Sequence, residues 1–199
     1  MIASKLKPGD EIRVVSPSRS LSEVWHDVHH RAVDFWQNEG FKLTYSAHSS
    51  ELDKYHSSSI ASRVEDLHEA FRDPNVKIII TSLGGFNVNQ ILRYLDYDLI
   101  FKNPKILCGY SDITALSNAI YAKTGLITYY GPHYSTFGFD RETEYTRQAF
   151  LSCVADGSPF AITPSKAASI YHIIQEGNCD GTIIGGNLCT LNLLQATPY

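Results

Sequence analysis

The chain has 199 residues, 43% of them hydrophobic, which is enough for one packed domain or for one domain and part of a second. Its 17 Lys and Arg against 21 Asp and Glu give a net charge of -4, and no basic stripe is present, so the composition does not favour a nucleic-acid partner. The apolar runs are far shorter than the roughly 20 residues of a membrane span, and the start lacks the apolar segment of a secretory signal, so we expect a cytoplasmic protein without membrane contact.

The first elements alternate between strand and helix. Glu11–Val15 is predicted as a strand that ends at the Ser-Pro-Ser segment 16–18. Apolar residues at helical spacing predict a helix over 21–36, which Gly40 terminates, and the next strand is predicted over 41–45.

The same alternation continues through the middle of the chain. Serines 57–59 precede a helix whose apolar stripe begins at Ile60, and Val76–Thr81 is a strongly apolar strand suited to burial on both faces. A helix over 88–95, a short strand over 106–108 and a helix over 113–123 follow.

This order predicts an α/β fold, a doubly wound and mainly parallel sheet, as in flavodoxin-like and Rossmann-like proteins. After residue 140 we predict a helix over 143–154, a strand over 182–184 and a helix over 188–195. We expect residues 1–160 to form the N-terminal domain, and residues 161–199 to form a linker and the start of an incomplete C-terminal domain.

The segment 108–113, Cys-Gly-Tyr-Ser-Asp-Ile, is a buried-type strand, a tight turn and a helix start. Such a corner presents a serine hydroxyl above the sheet edge, so Ser111 is a candidate nucleophile, and the amide of Asp112 can face a developing oxyanion. A structural interpretation stays open, because Ser and Asp are common helix caps and the second glycine of G-x-S-x-G is missing.

The second glycine turn is Gly84-Gly85-Phe86-Asn87, directly after a buried strand. Its glycines allow close approach of the backbone to a ligand, and the Gly85 amide is a candidate oxyanion-hole donor. The alternative is a tight turn before a helix. It is not a dinucleotide fingerprint, because G-x-G-x-x-G is absent.

Histidines and a later glycine turn offer weaker candidates. His26, His29 and His30 share a predicted helix, but their spacing is a weak metal signal, and a solvated helix face is the simpler interpretation. His133 lies in a loop from which it can line a pocket, although a structural role is equally compatible. Asn187, after Gly185-Gly186, either caps a helix or offers its amide to a substrate.

Several ordered segments together resemble the serine peptidase family that includes muramoyl-tetrapeptide LD-carboxypeptidases and microcin C self-immunity proteins. They are Lys-Pro-Gly-Asp at 7–10, Val-Val-Ser-Pro-Ser at 14–18, Gly-Gly-Phe-Asn at 84–87, Gly-Tyr-Ser-Asp-Ile-Thr at 109–114, Tyr-Gly-Pro at 130–132 and Gly-Gly-Asn-Leu at 185–188. The form of segments 83–87 and 186–195 is more similar to the microcin-immunity branch.

The resemblance implies acyl transfer without a metal or an organic cofactor. It implies Ser111 as the nucleophile and the amides of Gly85 and Asp112 as the oxyanion hole. We expect the substrate pocket to include Gly84, Phe86, Asn87, His133 and Asn187. The expected substrate is a small peptide or a peptidyl- or aminoacyl-nucleotide, with cell-wall tetrapeptides as the alternative. A homodimer is also implied.

The chain departs from the family in one respect. The family's glutamate and histidine lie beyond Gly-Gly-Asn-Leu, and no residue before Tyr199 matches either of them. The resemblance therefore implies a truncated member with impaired activity.

Three classes of function stay open at this point. The chain could be a serine carboxypeptidase-type enzyme or a catalytically dead binding module that keeps the pocket around Gly85 and Ser111. It could also be an unrelated doubly wound sheet that binds a nucleotide or sugar phosphate at its glycine turns. The missing phosphate fingerprint counts against the last.

Overall fold

The computed structural model of the chain describes residues 1–140, 143–157 and 173–199. Five parallel strands form one sheet in the order β2-β1-β3-β4-β5. The strands are β1 (Glu11–Val15), β2 (Lys42–Tyr45), β3 (Val76–Thr81), β4 (Ile106–Gly109) and β5 (Tyr129–Tyr130). The described helices are α1 (His26–Asn38), α2 (Ile60–Arg72), α3 (Tyr97–Lys102), α4 (Ile113–Thr124), α5 (Glu144–Leu151) and α6 (Leu188–Asn192).

The central strands form because their side chains are buried on both faces. Every residue of β1 is buried, and Ile78, Ile79 and Ile80 of β3 have no exposed surface. Ile12 of β1 pairs in register with Ile78. Near-continuous apolar strands of this kind require helices on both faces of a parallel sheet.

The strand order fixes where the loops of a site can meet. The chain moves outward from β1 to β2, then crosses back to β3 and continues in the opposite direction to β5. Because crossovers are right-handed, this reversal places helices on both faces and leaves a switch point at the carboxyl ends of β1 and β3. The predicted doubly wound α/β class is confirmed.

An aromatic cluster fills the space between α1 and the segment that follows β5. Trp36 of α1 lies 4.5 Å, between ring centroids, from Phe137, and both side chains are fully buried. Phe137 belongs to a 3-10 turn at Tyr134–Gly138, and a Cβ on Gly138 would lie 1.9 Å from the carbonyl oxygen of Val28. The α1 backbone therefore packs directly against this turn.

Several predicted elements match the structure closely. Ser59 caps α2 by accepting a hydrogen bond from the Ser62 amide, as the serine cluster predicted. Helix α4 ends at Gly125, whose φ of +69° is the left-handed conformation of a helix C-terminus.

Other predicted elements were wrong in extent or type. The helix predicted over 21–36 is a 3-10 turn at Leu21–Glu23 followed by α1, and the helix predicted over 88–95 is two 3-10 turns, Val88–Gln90 and Leu92–Tyr94. Residues 182–184 form no strand, and α6 ends at Asn192 rather than at 195. The helix predicted over 143–154 is α5 continued by a π-helical turn at Ser152–Asp156. The predicted boundary at 160/161 falls outside the described residues.

No helix in the described part of the chain is both long and apolar enough to cross a membrane.

Candidate active site

Ser111 occupies the corner between β4 and α4. Its φ is +60°, a left-handed conformation that is rare for a residue with a side chain, and its side chain is half-buried rather than packed in the core. Such a conformation costs on the order of 1–3 kcal/mol and persists where the surrounding fold imposes it, often at functional sites. The strand and the helix start on either side of it impose this strain on Ser111.

The glycine turn after β3 lies directly against Ser111. A Cβ placed on Gly84 would be 3.0 Å from Ser111 Cβ, 3.3 Å from Ser111 Oγ and 3.2 Å from His133 Nε2. The corresponding position on Gly85 would be 2.4 Å from Ser18 Oγ. Both glycines therefore permit a close approach that no other residue type would allow without displacement of its neighbours.

The carboxylate of Asp112 joins the two corners. Its Oδ2 accepts hydrogen bonds from the backbone amides of Asn87 and Val88, each at 3.0 Å, and from Ser18 Oγ at 2.6 Å. The side chain does not cap α4, so the purely helix-capping interpretation of Asp112 is wrong. A buried charge satisfied by three donors instead fixes the 84–88 turn beside Ser111.

The two predicted oxyanion-hole amides are unused within the described part of the chain. Neither Gly85 N–H nor Asp112 N–H donates a hydrogen bond to any described residue. The amide of Ser111 itself donates to Tyr130 Oη at 3.3 Å. Donors that lack a protein partner next to a serine can bind an oxyanion as it forms.

His133 is buried beneath this corner. Its Nδ1 lies 2.7 Å from Thr81 Oγ1, the Tyr110 ring is tilted against it at 4.1 Å, and its Nε2 has no hydrogen-bond partner in the described residues. Burial lowers the pKa of His133 to about 3. The imidazole is therefore neutral near neutral pH and is a weak base there.

The remaining predicted site residues lie in different surroundings. Phe86 is 67% exposed beside the glycine turn, whereas Asn87 is buried, with its side-chain oxygen 3.1 Å from Ser18 Oγ. Asn187 caps α6 by accepting from the Thr190 amide, and its own amide donates to Thr114 Oγ1 of α4 at 2.9 Å. Its predicted contact with a substrate stays a prediction.

The three histidines of α1 lie away from this corner. His26 and His30 are exposed, with their Nε2 atoms 2.9 Å apart, but His29 is half-buried and its Nδ1 lies 3.1 Å from Tyr134 Oη. The prediction of a solvated helix face is therefore correct for His26 and His30 but not for His29. In the ranges that the structure describes, no group of three or more His, Cys, Asp or Glu is placed to hold a metal ion.

Sequence reasoning missed four residues around the corner, namely Ser18, Arg63, Thr81 and Tyr130. Ser18 and Thr81 do carry a signal, because each is a polar residue at the carboxyl end of a predicted strand, where sites of such sheets form. Arg63 carries none, and Tyr130 is marked only by its place in the Tyr-Gly-Pro segment of the family resemblance, since only the folded chain brings these residues near Asn87 and Ser111.

A half-buried serine on a strained strand-to-helix corner, beside a glycine turn at the carboxyl edge of a parallel sheet, is typical of α/β serine hydrolases. The comparisons with known proteins agree with this class. The chain belongs to the Peptidase_S66 family, whose LD-carboxypeptidase N-terminal domain matches residues 12–131.

Individual relatives support the assignment. The candidate carboxypeptidase YocD of Bacillus subtilis is 54% identical over the whole chain, which spans 66% of the length of YocD. The crystal structure of an MccF-like protein from Bacillus anthracis is 53% identical with a TM-score of 0.95, and the chain covers 66% of it. The microcin C7 self-immunity protein MccF of Escherichia coli, solved with aspartyl sulfamoyl adenosine, is 32% identical with a TM-score of 0.85, again over all of this chain and 66% of that one.

Proposed function

We propose that the chain carries the nucleophile and the oxyanion hole of a serine peptidase that cleaves an amide bond in a small peptide or in an aminoacyl- or peptidyl-nucleotide. The observation that carries the proposal is the left-handed backbone of Ser111 at the β4–α4 corner, directly against Gly84. The substrate class is supported by the aspartyl sulfamoyl adenosine bound to MccF. Glutamyl sulfamoyl guanosine, bound in a second MccF structure, supports the same class.

The proposed chemistry is acyl transfer. Ser111 Oγ attacks the scissile carbonyl carbon, its proton passes to a base, and the carbonyl oxygen becomes an oxyanion between the amides of Gly85 and Asp112. Collapse of this intermediate breaks the C–N bond, the amine leaves with a proton, and water then hydrolyses the acyl-serine. The exposed Phe86 ring lies at the edge of this corner, where it can cover a bound substrate.

The described residues do not identify the base of this arrangement. In the described part of the chain, His133 is the histidine that lies against the Gly84–Ser111 corner, and its low pKa makes it a poor proton acceptor. Loss of a triad member typically lowers turnover by a factor on the order of 10⁴ to 10⁶. We therefore propose that the 199-residue chain alone is nearly inactive as a hydrolase.

A fluorophosphonate probe read by intact mass tests the nucleophile. We expect slow formation of a single adduct, lost in Ser111→Ala and retained in the control Ser22→Ala, which changes an exposed serine. An adduct that persists in Ser111→Ala would refute the role of Ser111.

Calorimetry and turnover separate the remaining alternatives. Binding of aspartyl sulfamoyl adenosine without any serine labelling would favour a binding module and overturn the enzymatic proposal. Rapid, Ser111-dependent hydrolysis of that compound by the purified chain would overturn the proposed need for an additional base.

A further inference from the structure

A buried polar cluster lies behind the nucleophile and joins the loops that follow β1, β3 and β4. We define it as Ser18, Arg63, Asn87 and Asp112, all of them buried. The sequence predicted no hydrogen bonds among these four residues. Among the described hydrogen bonds and ion pairs, Ser18 and Arg63 do not contact Ser111 directly. Buried polar groups cost free energy when they lose their partners, so such a cluster favours the one arrangement of its loops in which these hydrogen bonds form.

Ser18 connects the β1 loop to the carboxylate of Asp112. Its side chain is fully buried, and its Oγ donates to Asp112 Oδ2 at 2.6 Å. The same oxygen would lie 2.4 Å from a Cβ on Gly85. Ser18 therefore contacts the residue after the nucleophile through a charge-assisted hydrogen bond, and it forms the surface on which the second glycine of the turn rests.

Arg63 of α2 holds the same loops from the other side. Its Nη1 donates to the carbonyl oxygens of Pro17 at 3.2 Å and Asn87 at 3.1 Å, and its Nη2 donates to Gln90 Oε1 at 2.7 Å. Burial lowers the pKa of Arg63, and the negative charges of Asp53 and Asp112 oppose this effect. The rigid fork of a guanidinium can bridge two loops in a way that a single ammonium group cannot.

The 84–88 turn is thus held by hydrogen bonds to both backbone groups of Asn87. The Asn87 amide donates to Asp112 Oδ2, while the Asn87 carbonyl accepts from Arg63. The Gly85 amide is two residues before this point and makes no described hydrogen bond of its own. The direction in which the Gly85 N–H points therefore depends on how firmly Asn87 and the Ser18 side chain are held.

We propose that Ser18 and Arg63 are positioning residues, which set the geometry of the Gly85 and Asp112 amides through Asn87 and the Asp112 carboxylate. The inference rests on the proposed function, because it names how the oxyanion hole of that site is held. It also assigns a role to the Ser-Pro-Ser segment at 16–18, since the hydroxyl of residue 18 is the part that reaches the site.

The first measurement is the rate at which Ser111 reacts with the fluorophosphonate. Because Ser18→Ala removes a hydrogen bond to a charged group that holds the site, we expect it to react roughly 10-fold to 100-fold more slowly than the unmodified chain. Ser20→Ala is the matched control, because Ser20 is equally buried but its hydroxyl bonds to the Ser49 carbonyl and to Ser22, outside the cluster. We expect Ser20→Ala to react at the rate of the unmodified chain.

The second measurement is amide exchange by NMR at Asn87 and Val88, which does not require a reactive serine. Faster exchange in Ser18→Ala and in Arg63→Lys, with the exchange of β3 amides unchanged, would support the proposal. Equal exchange in Ser18→Ala and the unmodified chain would overturn it, as would an equal effect of Ser20→Ala. If the unmodified chain forms no Ser111 adduct, the proposed function fails, and the exchange data still decide whether the cluster holds the turn.

Discussion

Gly84 shows how little space separates the two corners of the site. A methyl group at this position would lie 3.0 Å from Ser111 Cβ and 3.2 Å from His133 Nε2, and neither atom belongs to the free end of a flexible side chain. Ser111 is held by its strained backbone, and the His133 ring is fixed between Thr81 and Tyr110. A methyl group must therefore displace the glycine turn itself.

We predict that Gly84→Ala slows fluorophosphonate labelling of Ser111 at least tenfold, because it moves the turn that carries the Gly85 amide. Overpacking of this kind typically costs about 1–3 kcal/mol of folding free energy. Gly181→Ala is the control, since a Cβ at Gly181 meets nothing within 4 Å. Labelling of Gly84→Ala at the rate of the unmodified chain would show that the turn can move without consequence for Ser111.

His133 gives the folded state a defined dependence on pH. Its pKa is lowered by burial from 6.5 to about 3, so between these values the unfolded chain binds a proton that the folded chain does not. The stability contributed by neutral His133 is therefore present above about pH 6.5 and is lost as pH falls toward 3. Asp66 acts in the opposite direction, because burial raises its pKa from 3.8 to about 6 and its ionised form destabilises the fold as pH rises through that range.

We predict that His133→Asn, which can keep a side-chain amide near Thr81 but does not titrate, flattens the loss of stability on acidification. Relative to the unmodified chain, the variant should gain about 2 kcal/mol between about pH 7 and pH 4.5, as measured by urea unfolding. Asp66→Asn should instead be most stabilising at neutral pH, so the two variants distinguish the contribution of His133 from that of Asp66. A His133→Asn curve parallel to that of the unmodified chain would show that His133 does not carry this dependence.

At the scale of elements, buried charges tie β1 to α2. Arg13 of β1 donates to Glu11 Oε1 at 2.8 Å and to Asp73 Oδ2 at 3.1 Å, and it also pairs with Glu69 of α2. Burial alone would raise the pKa of Glu11, but hydrogen bonds from Lys42 and Arg13 hold this pKa at about 2. Glu11 therefore contributes stability above its ordinary pKa of about 4.5, and this contribution is lost as pH falls toward 2.

We predict that Arg13→Met destabilises the chain by about 3–5 kcal/mol at neutral pH, because among the described ion pairs it leaves the buried Glu11 carboxylate with the exposed Lys42 alone. Arg72→Met is the matched control, since Arg72 forms an exposed pair with Glu65 in α2 and such pairs contribute about 0–1 kcal/mol. Chemical denaturation measures both. Equal losses in the two variants would mean that the Arg13 pairs stabilise no more than a surface pair.

The elements also show why prediction from sequence succeeded in some places and failed in others. The strands were predictable because Val76–Thr81 contains three consecutive isoleucines, a pattern that burial on two faces favours. The helix predicted over 88–95 was wrong because Val88, Ile91, Leu92 and Leu95 have a spacing that short 3-10 turns also satisfy. Contacts from Arg63 and Asp112, distant in sequence, hold that segment in its observed form.

The site divides in the same way. Ser111 and the glycine turn were predictable because strand–turn–helix patterns are local in sequence. The contacts of the Asp112 carboxylate were not predictable, because its partners are 24, 25 and 94 residues away along the chain. Sequence reasoning thus predicted the two turns that meet at the candidate site but not the side chains that hold them together.

At the scale of the whole molecule, the described C-terminal residues expose apolar side chains. Ile183, Ile184, Leu188 and Leu193 are each at least 67% exposed, and we call them the C-terminal apolar surface. The segment is attached to α4, because Asn118 Nδ2 donates to the Gly185 carbonyl at 2.9 Å and the Asn187 amide bonds to Thr114. A cavity of about 710 Å³ is lined by residues 182–186, by α4 and by Tyr130 of β5.

Exposed apolar patches promote association, so we predict that the 199-residue chain self-associates with increasing concentration in sedimentation velocity. The double variant Ile184→Lys with Leu188→Lys should shift the distribution toward monomer, because it places two charges on the C-terminal apolar surface. Leu52→Lys is the control, since Leu52 is 57% exposed in the loop after β2, at the opposite edge of the sheet. If Leu52→Lys disperses the assemblies as effectively as the double variant, or if neither does, association does not depend on this surface, and its apolar residues need another explanation.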